Sequence, residues 1–293
     1  MHEQTMTSLE QLAHDEPDIA LLALLYRDGL ASFEDQTWTG SNDGLTLGKP
    51  VGEIPALHEQ VINLDIPTFQ RLLLQMIETA GLPQQWPELP DTIRSIDLSE
   101  FARAVIEWDL EALDRLVDDP SLSPALLMSV GSCAILPQMH ALHKSWHDNF
   151  STNEWRSNYC PLCGSWPTIA EQRGLEKSIY LRCGRCFSEW PSRHQYCVFC
   201  GNDNHERLAY MAAEGERESR RVVTCKECSG YLKVLATVRP FSPGEVLRRD
   251  LESIELDLAA SDEGYARPAQ PGCSFSIRVS GIVTRDKSWL PWR

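Results

Sequence analysis

Eight of the ten cysteines in this 293-residue chain fall into four pairs, each with two residues between its members. The pairs are Cys160 and Cys163, Cys183 and Cys186, Cys197 and Cys200, and Cys225 and Cys228. Two intervening residues allow a tight turn, here called a knuckle, to aim both sulfurs at one metal ion. Glycine directly follows Cys163 and Cys200, where it permits the left-handed backbone that turns N–H groups toward the sulfurs. The four knuckles predict metal sites with sulfur ligands.

The intervals between the pairs indicate how the knuckles combine. They contain 19, 10 and 24 residues, in chain order. An interval of about 20 residues accommodates a β-hairpin that returns one knuckle to another. The first two pairs are therefore expected to form one four-sulfur site and the last two pairs a second one. The sequence also predicts strands at 166–172 and 177–182 in the first unit, and at 207–213, 221–224 and 231–238 in the second.

The ligand type leaves the metal open. Four thiolates suit zinc and a mononuclear iron of the rubredoxin type, since both accept tetrahedral sulfur ligation. The residues also leave open whether the ions are redox-active or only hold the fold. Dithiol redox pairs, or cysteines without metal, are the weaker interpretation of the same pattern. Cys133 and Cys273 lie outside the knuckles and are not expected to be ligands.

The first half of the chain is predicted to be helical. Apolar residues at helical spacing predict helices at 18–33, 66–80, 99–117 and 123–150, the last of them central and kinked near Pro137. The stretch 36–55 is rich in Gly, Pro, Asn and Ser and predicts a long loop.

Three histidines lie on one face of the last of these helices. His143 and His147 have the i, i+4 spacing that can bind a metal, and His140 precedes them by one turn. The glutamate of the metalloprotease signature is missing from this segment, so a packing or interface face is favoured over a metal site.

After the knuckles, Ser242 and Glu245 form a predicted capping box, and an apolar stripe predicts a final helix that reaches about residue 258. Alternating apolar residues at 274–283 suggest one strand. The sequence assigns this tail no task.

Charge is distributed unevenly along the chain. The formal net charge of −15 arises from the first half, since residues 1–150 carry −17 and residues 151–293 carry +2. The knuckle region 156–239 carries +4, which falls to about zero once two divalent ions with four thiolates each are counted. This distribution argues against binding to nucleic acid or to an anionic membrane and favours protein partners.

The cellular location follows from features that the sequence lacks. No basic segment followed by an apolar core opens the chain, and no apolar run reaches the roughly 20 residues that a membrane helix needs. A cytoplasmic protein with reduced thiols is expected.

The order of the motifs resembles a known family, the formate dehydrogenase accessory proteins (FdhE). The segments that carry the resemblance are YCPLCGSWP, YLRCGRCFSEW, YCVFCG, CKECSGYLKVL and ESIELDLAASDEGYARP. It covers about residues 120–267, and the helical first half more loosely. Tyr231, Leu232, Lys233, Leu256 and Asp257 match the family pattern, whereas the residues after Arg267 depart from it.

The resemblance implies a fold and a set of ligands. An α+β protein is expected, with an N-terminal helical bundle, two tandem rubredoxin-like (zinc-ribbon-like) metal modules and a C-terminal helix. The predicted boundaries are 1–150, 151–190, 191–240 and 241–293. The resemblance makes the eight knuckle cysteines the ligands of two mononuclear metal ions per chain, with iron favoured and zinc as the alternative.

The resemblance also implies a function. Members of the family are cytoplasmic, bind the catalytic subunit of a respiratory formate dehydrogenase before export, and are needed for the active enzyme. The chain is therefore expected to be a chaperone-like accessory protein and not an enzyme, since it contains no recognisable catalytic constellation. Two alternatives are a rubredoxin-like electron-transfer or thiol-redox protein, and a zinc-ribbon protein that binds nucleic acid.

Overall fold

The computed structural model describes residues 2–42, 45–117, 119, 122–147 and 150–283. It is an α+β protein in which a helical first half packs against a sheet formed by the knuckle units. The main hydrophobic core runs through both parts, because it includes buried residues of the helices together with Leu162, Leu181 and Trp190 of the first knuckle unit.

Nine helices of the described residues precede the knuckles. They are α1 (His2–Asp15), α2 (Ala20–Ala31), α3 (Gln36–Gly40), α4 (Ile66–Thr79), α5 (Leu89–Ser95), α6 (Leu98–Glu107), α7 (Leu110–Val117), α8 (Pro124–Ala134) and α9 (Leu136–His147). Helix α4 illustrates why these helices form. The Asp65 side chain caps it by accepting from the backbone N–H of Thr68 at 2.9 Å. Proline occupies the first turn of the helix, and one apolar face is buried. The predicted helix at 66–80 is thereby confirmed.

Two predicted helices are each divided. The predicted helix at 99–117 is divided into α6 and α7. Helix α6 is capped at its C-terminus by Trp108, whose backbone is left-handed (φ 64°). Helix α7 begins after Asp109, whose side chain accepts from the N–H of Ala112. The predicted helix at 123–150 becomes α8 and α9, bent by 47°. Pro137 lies in the first turn of α9, so the predicted kink is confirmed close to its expected position. Residues 148 and 149 of that prediction lie outside the described residues.

The prediction that the first half is wholly helical was wrong at strand β1 (Val61–Asp65). This strand pairs in parallel with β8 (Arg278–Ile282), which confirms a strand in the tail. The physical reason is that a short alternating segment becomes a strand only when it finds a partner, and here the partner lies more than 200 residues away in the sequence.

One six-stranded sheet contains the strands of both knuckle units. Its order is β4 (Glu189–Ser192), β3 (Ser178–Arg182), β2 (Ile169–Arg173), β7 (Tyr231–Thr237), β6 (Arg220–Cys225) and β5 (Leu208–Met211). Strand β2 of the first unit pairs in parallel with β7 of the second, and the other pairs are antiparallel. The two units thus share one continuous sheet, whereas their boundaries at 150, 190 and 240 stay a prediction.

The predicted final helix is also divided in two, α10 (Pro243–Leu251) and α11 (Ile254–Asp262). The capping box is confirmed, because the Ser242 N–H donates to Glu245 at 2.8 Å at the start of α10. Within the described residues, no single helix is long and apolar enough to cross a bilayer, and only the bent pair α8 and α9 passes that test of length and composition when taken together.

A buried lysine and three half-buried charged residues connect the sheet to these final helices. The ammonium of Lys233, which is 0% exposed, lies 2.8 Å from a carboxylate oxygen of Asp250 and 2.6 Å from one of Asp257. Arg267 contacts the same two carboxylates at 3.0 and 2.7 Å. The network balances two positive charges against two negative ones, and it explains why Lys233 can be buried.

The tail after Arg267 connects the two halves. The N–H of Glu59 donates to the carbonyl of Ser276 at 2.7 Å, and the N–H of Ile277 donates to Glu107 of α6 at 2.8 Å. Strand β8 then completes the two-stranded sheet with β1. This segment, to which the sequence assigns no task, is a structural strap between the sheet unit and the helical half.

We predict that Lys233→Met lowers the free energy of unfolding by about 3 kcal/mol, because two half-buried carboxylates then share one cation. Adding Asp257→Asn should restore part of this loss, since it rebalances the charges. The control Lys177→Met removes a lysine that is 57% exposed and should change stability by less than about 1 kcal/mol. Urea unfolding followed by circular dichroism measures all three variants, and equal losses for Lys233→Met and Lys177→Met would contradict the prediction.

Candidate metal centres

The structure brings the eight knuckle cysteines into two groups of four. The ligand atoms of each group all lie within 4.8 Å of one another. The first group contains Cys160, Cys163, Cys183 and Cys186, and the second contains Cys197, Cys200, Cys225 and Cys228. The grouping agrees with the pairing predicted from the intervals.

The distances within each group fit a tetrahedral ion. In the first group, Cys160 Sγ lies 3.4 Å from Cys186 Sγ, and Cys163 Sγ lies 3.6 Å from Cys183 Sγ. The corresponding distances in the second group are 3.6 and 3.7 Å. Four sulfurs at about 2.3 Å from a tetrahedral zinc ion stand about 3.8 Å apart, so a small expansion would accommodate such an ion.

Each knuckle is built by the same local backbone. The residue after its second cysteine adopts the left-handed conformation, with φ of 69° at Gly164, 67° at Phe187, 77° at Gly201 and 53° at Ser229. The two glycines confirm the sequence prediction. Phe187 and Ser229 were missed, because side chains other than glycine rarely adopt this conformation and give no signal for it in the sequence.

Backbone hydrogen bonds close the turns. The N–H of Cys160 donates to the carbonyl of Ser165 at 2.8 Å, and the N–H of Cys197 donates to that of Asn202 at the same distance. Cys183 and Cys225 make the equivalent bonds at 3.0 and 2.9 Å. The turns that direct the sulfurs are therefore stabilised by the backbone itself.

The first group is enclosed in the main core. All four of its cysteines are 0% exposed. The carbonyls of Pro161 and Leu162 accept from the N–H groups of Ala56 and Leu57 at 2.8 and 3.1 Å, which fixes the first knuckle against the helical half. Burial raises the pKa of the Cys160 and Cys186 thiols, so thiolates at this depth need a nearby cation.

Arg185, between the two cysteines of the second knuckle, connects this group to helix α6. Its backbone N–H lies 3.4 Å from Cys183 Sγ. Its guanidinium donates to the carbonyls of Val105 and Ile106, at 2.8 and 3.2 Å, and to Ser165 Oγ at 3.0 Å. No local pattern signals this role, because the two carbonyl acceptors lie near the end of a helix about 80 residues earlier.

The second group lies at the surface. Cys200 and Cys228 are exposed, whereas Cys197 and Cys225 are 5% and 1% exposed. Burial raises the pKa of the Cys225 thiol, but hydrogen bonds from the N–H groups of Cys228 and Glu227 and from neighbouring thiols outweigh it and lower the pKa to about 7. Burial instead raises the pKa of the Cys197 and Cys228 thiols, so Cys225 becomes a thiolate more readily than these two.

The remaining candidates stay outside both groups. Cys133 is buried, with its pKa raised to about 12 by burial, and Cys273 is half-buried. All ten cysteines belong to the described residues, and none forms a disulfide. Neither Cys133 nor Cys273 belongs to a four-sulfur group, and the expectation that they are not ligands stays a prediction.

The histidine face packs against neighbouring side chains. The ring of His140 stacks on Phe33 with centroids 4.4 Å apart. Burial, and to a smaller extent the neighbouring His147, lowers the pKa of His143 to about 3. Within the residues that the structure describes, only the two cysteine groups bring three or more metal-binding atoms within 4.8 Å. The favoured interpretation of a packing face agrees with this arrangement.

Comparisons with known proteins address the family. Residues 196–271 match the family model described as FdhE, C-terminal domain. The chain is 31% identical over 121 residues to an FdhE homolog of Aquifex aeolicus, covering 40% of this chain and 42% of that protein. It is 33% identical over 152 residues to an FdhE homolog of Stutzerimonas stutzeri, covering 51% and 48%. The chain thus spans less than half the length of these two relatives.

A solved structure extends the likeness to the fold. The crystal structure of the FdhE protein from Pseudomonas aeruginosa matches 94% of this chain and 95% of that chain, with a TM-score of 0.58 and 22% identity. The resemblance to the FdhE family that the motifs predict is confirmed by the family model, the relatives and this structure.

We predict that Gly164→Ala destabilises the protein more than Gly201→Ala. Both changes place a side chain on left-handed backbone, at a cost of about 1–2 kcal/mol. At Gly164 the added carbon would also lie 3.3 Å from both the Cys273 carbonyl oxygen and the Phe275 ring, whereas at Gly201 its nearest neighbour is the Tyr196 hydroxyl at 3.4 Å. Urea unfolding of the metal-loaded variants measures the difference. Ser229→Gly is the control and should be close to neutral, and equal losses at the two glycines would count against the steric explanation.

Proposed function

We propose that this chain, which resembles the FdhE proteins in sequence and in fold, is a cytoplasmic accessory protein without catalytic turnover. It binds the catalytic subunit of a respiratory formate dehydrogenase and supports the maturation of that enzyme. The eight knuckle cysteines hold two mononuclear metal ions, with iron as the proposed metal and zinc as the alternative.

The observation that carries this proposal is the pair of four-sulfur groups on an FdhE-like fold. Their sulfur distances suit a tetrahedral ion, and such an ion supplies folding free energy of about 10 kcal/mol or more. An ion in the first group would neutralise thiolates inside the core that the two halves share. We therefore assign the first ion the role of holding the two halves together.

Charge supports a protein partner. The helical half has a net charge of −17 over residues 1–150, which suits a partner with a basic surface. The knuckle units lack the excess of basic residues that a nucleic-acid-binding ribbon needs, because two metal-loaded groups would cancel their charge of +4.

A pull-down with the formate dehydrogenase catalytic subunit tests the partner. We expect the wild-type chain to retain the subunit, and Cys160→Ser/Cys163→Ser to lose at least about 90% of it, because the core around the first group then lacks its cation. Cys273→Ser is the matched control, since it removes a cysteine outside both groups. Retention of the subunit by the double variant, together with normal enzyme maturation, would contradict a metal-dependent accessory role.

Metal analysis after anaerobic purification tests the ligands. We expect two ions per wild-type chain and one ion per chain in Cys197→Ser/Cys200→Ser. Optical spectroscopy and redox titration of the same samples then identify the metal and distinguish the electron-transfer alternative, which requires a reversible couple. Colourless protein with two zinc ions and no couple would exclude iron and electron transfer, whereas a chain with no bound ion would contradict the assignment of the cysteines as ligands.

A further inference from the structure

The two sulfur groups have the same local backbone but opposite access to solvent. Every cysteine of the first group is 0% exposed, whereas Cys200 and Cys228 of the second group are exposed. A reagent from solution can therefore reach the second group directly and can reach the first group only if the core opens.

The surroundings of the first group oppose its opening. Its cysteines belong to the main hydrophobic core. Ser188 Oγ lies 3.2 Å from Cys186 Sγ, Ser165 Oγ lies 3.5 Å from Cys163 Sγ, and Arg185 ties the group to α6. Exposing one of these sulfurs would separate the knuckle from the helical half, which costs the burial of many apolar side chains.

Fewer side chains shield the second group from solvent than shield the first group. It lies between the β6–β7 turn and the segment before β5, and β5 is an edge strand of the sheet. The side-chain amide nitrogen of Asn202 lies 3.8 Å from Cys225 Sγ. Phe199, within the third knuckle, packs edge-on against Trp166 with centroids 5.3 Å apart, so cover on the inner side comes from the first unit. The outer side, with Cys200 and Cys228, faces solvent.

An exposed tetrathiolate ion is open to exchange of its ligands. An external thiol can bind the ion through its sulfur while the bond between the ion and Cys200 or Cys228 breaks. The proton of the incoming thiol passes to the released cysteine, and no electron is transferred. Repetition of this step moves the ion to the external ligand.

We propose that the second group is an exchangeable metal site that reacts with external thiols and soft chelators through Cys200 and Cys228, whereas the first group retains its ion as part of the core. The inference rests on the proposed metal loading of both groups. It assigns the two ions different roles, one held within the core and one transferable at the surface.

Release of zinc from the chain loaded with two zinc ions tests this difference. The protein is mixed with the dye 4-(2-pyridylazo)resorcinol in the presence of glutathione, and the absorbance of the dye–zinc complex is followed. We expect two phases of one ion each, with rates that differ at least about tenfold, equivalent to about 1.4 kcal/mol in the barrier. The fast phase should be missing from Cys197→Ser/Cys200→Ser. A single rate for both ions, or loss of the slow phase alone in that variant, would overturn the proposal.

Alkylation of the wild-type chain provides a test that needs no variant. The zinc-loaded chain is treated briefly with iodoacetamide in the presence of 4-(2-pyridylazo)resorcinol, and the modified cysteines are identified by peptide mass spectrometry. We expect Cys200 and Cys228 to be modified before any cysteine of the first group. The buried Cys133 is the internal control and should stay unmodified. Modification of Cys160 and Cys163 at the same rate as Cys200 would overturn the proposal. A chain that binds neither iron nor zinc at the outset would instead contradict the proposed function.

Discussion

Four sulfurs without exposure to solvent lie inside the main hydrophobic core, and thiolates at that depth need a cation beside them. The contacts between the helical half and the sheet unit lie around these four sulfurs. Backbone N–H groups of the helical half hold the first knuckle, and Arg185 extends from the second knuckle to the end of α6. A cation bound in the first group would thus support both the contact between the two halves and the local turn. In physical terms, the helical half and the sheet unit share one core whose polar centre is the first sulfur group.

The parallel pairing of β2 with β7 extends this arrangement to the second unit. It joins the hairpins of the two units edge to edge, so the second unit is anchored by backbone hydrogen bonds and by the Lys233 network instead of by burial of its sulfurs. The outer sides of the third and fourth knuckles, at Cys200 and Cys228, remain exposed to solvent. Two similar knuckle pairs therefore acquire different environments, because only the cysteines of the first group lie within the main core that the helical half shares.

The candidate site was predictable because its signal is local. Two cysteines separated by two residues define a knuckle wherever the chain folds, and the intervals suffice to pair the knuckles. Helix α4 was predictable for the same reason, since its cap, its proline and its apolar face all lie within 15 residues. Helix α1 was missed although Met6 and Leu9 have helical spacing, because its residues are mostly polar and its apolar face is stabilised by packing on α2. The β1–β8 pair, the Arg185 contacts and the β2–β7 pairing that joins the two units in one sheet depend on partners far away in sequence, and no local pattern specifies them.

The pairing of β8 with β1 also determines when the helical half can be completed. Ile62 and Leu64 are fully buried, yet the strand that pairs with theirs is synthesised more than 200 residues later. At about 5–20 residues per second, the ribosome needs roughly 10–40 seconds to supply it. During that interval all four knuckles are synthesised, so either sulfur group could bind an ion before the strap closes. A chain interrupted before Arg278 would leave the edge of β1 unpaired, so the β1–β8 pair can form only after translation has passed Ile282.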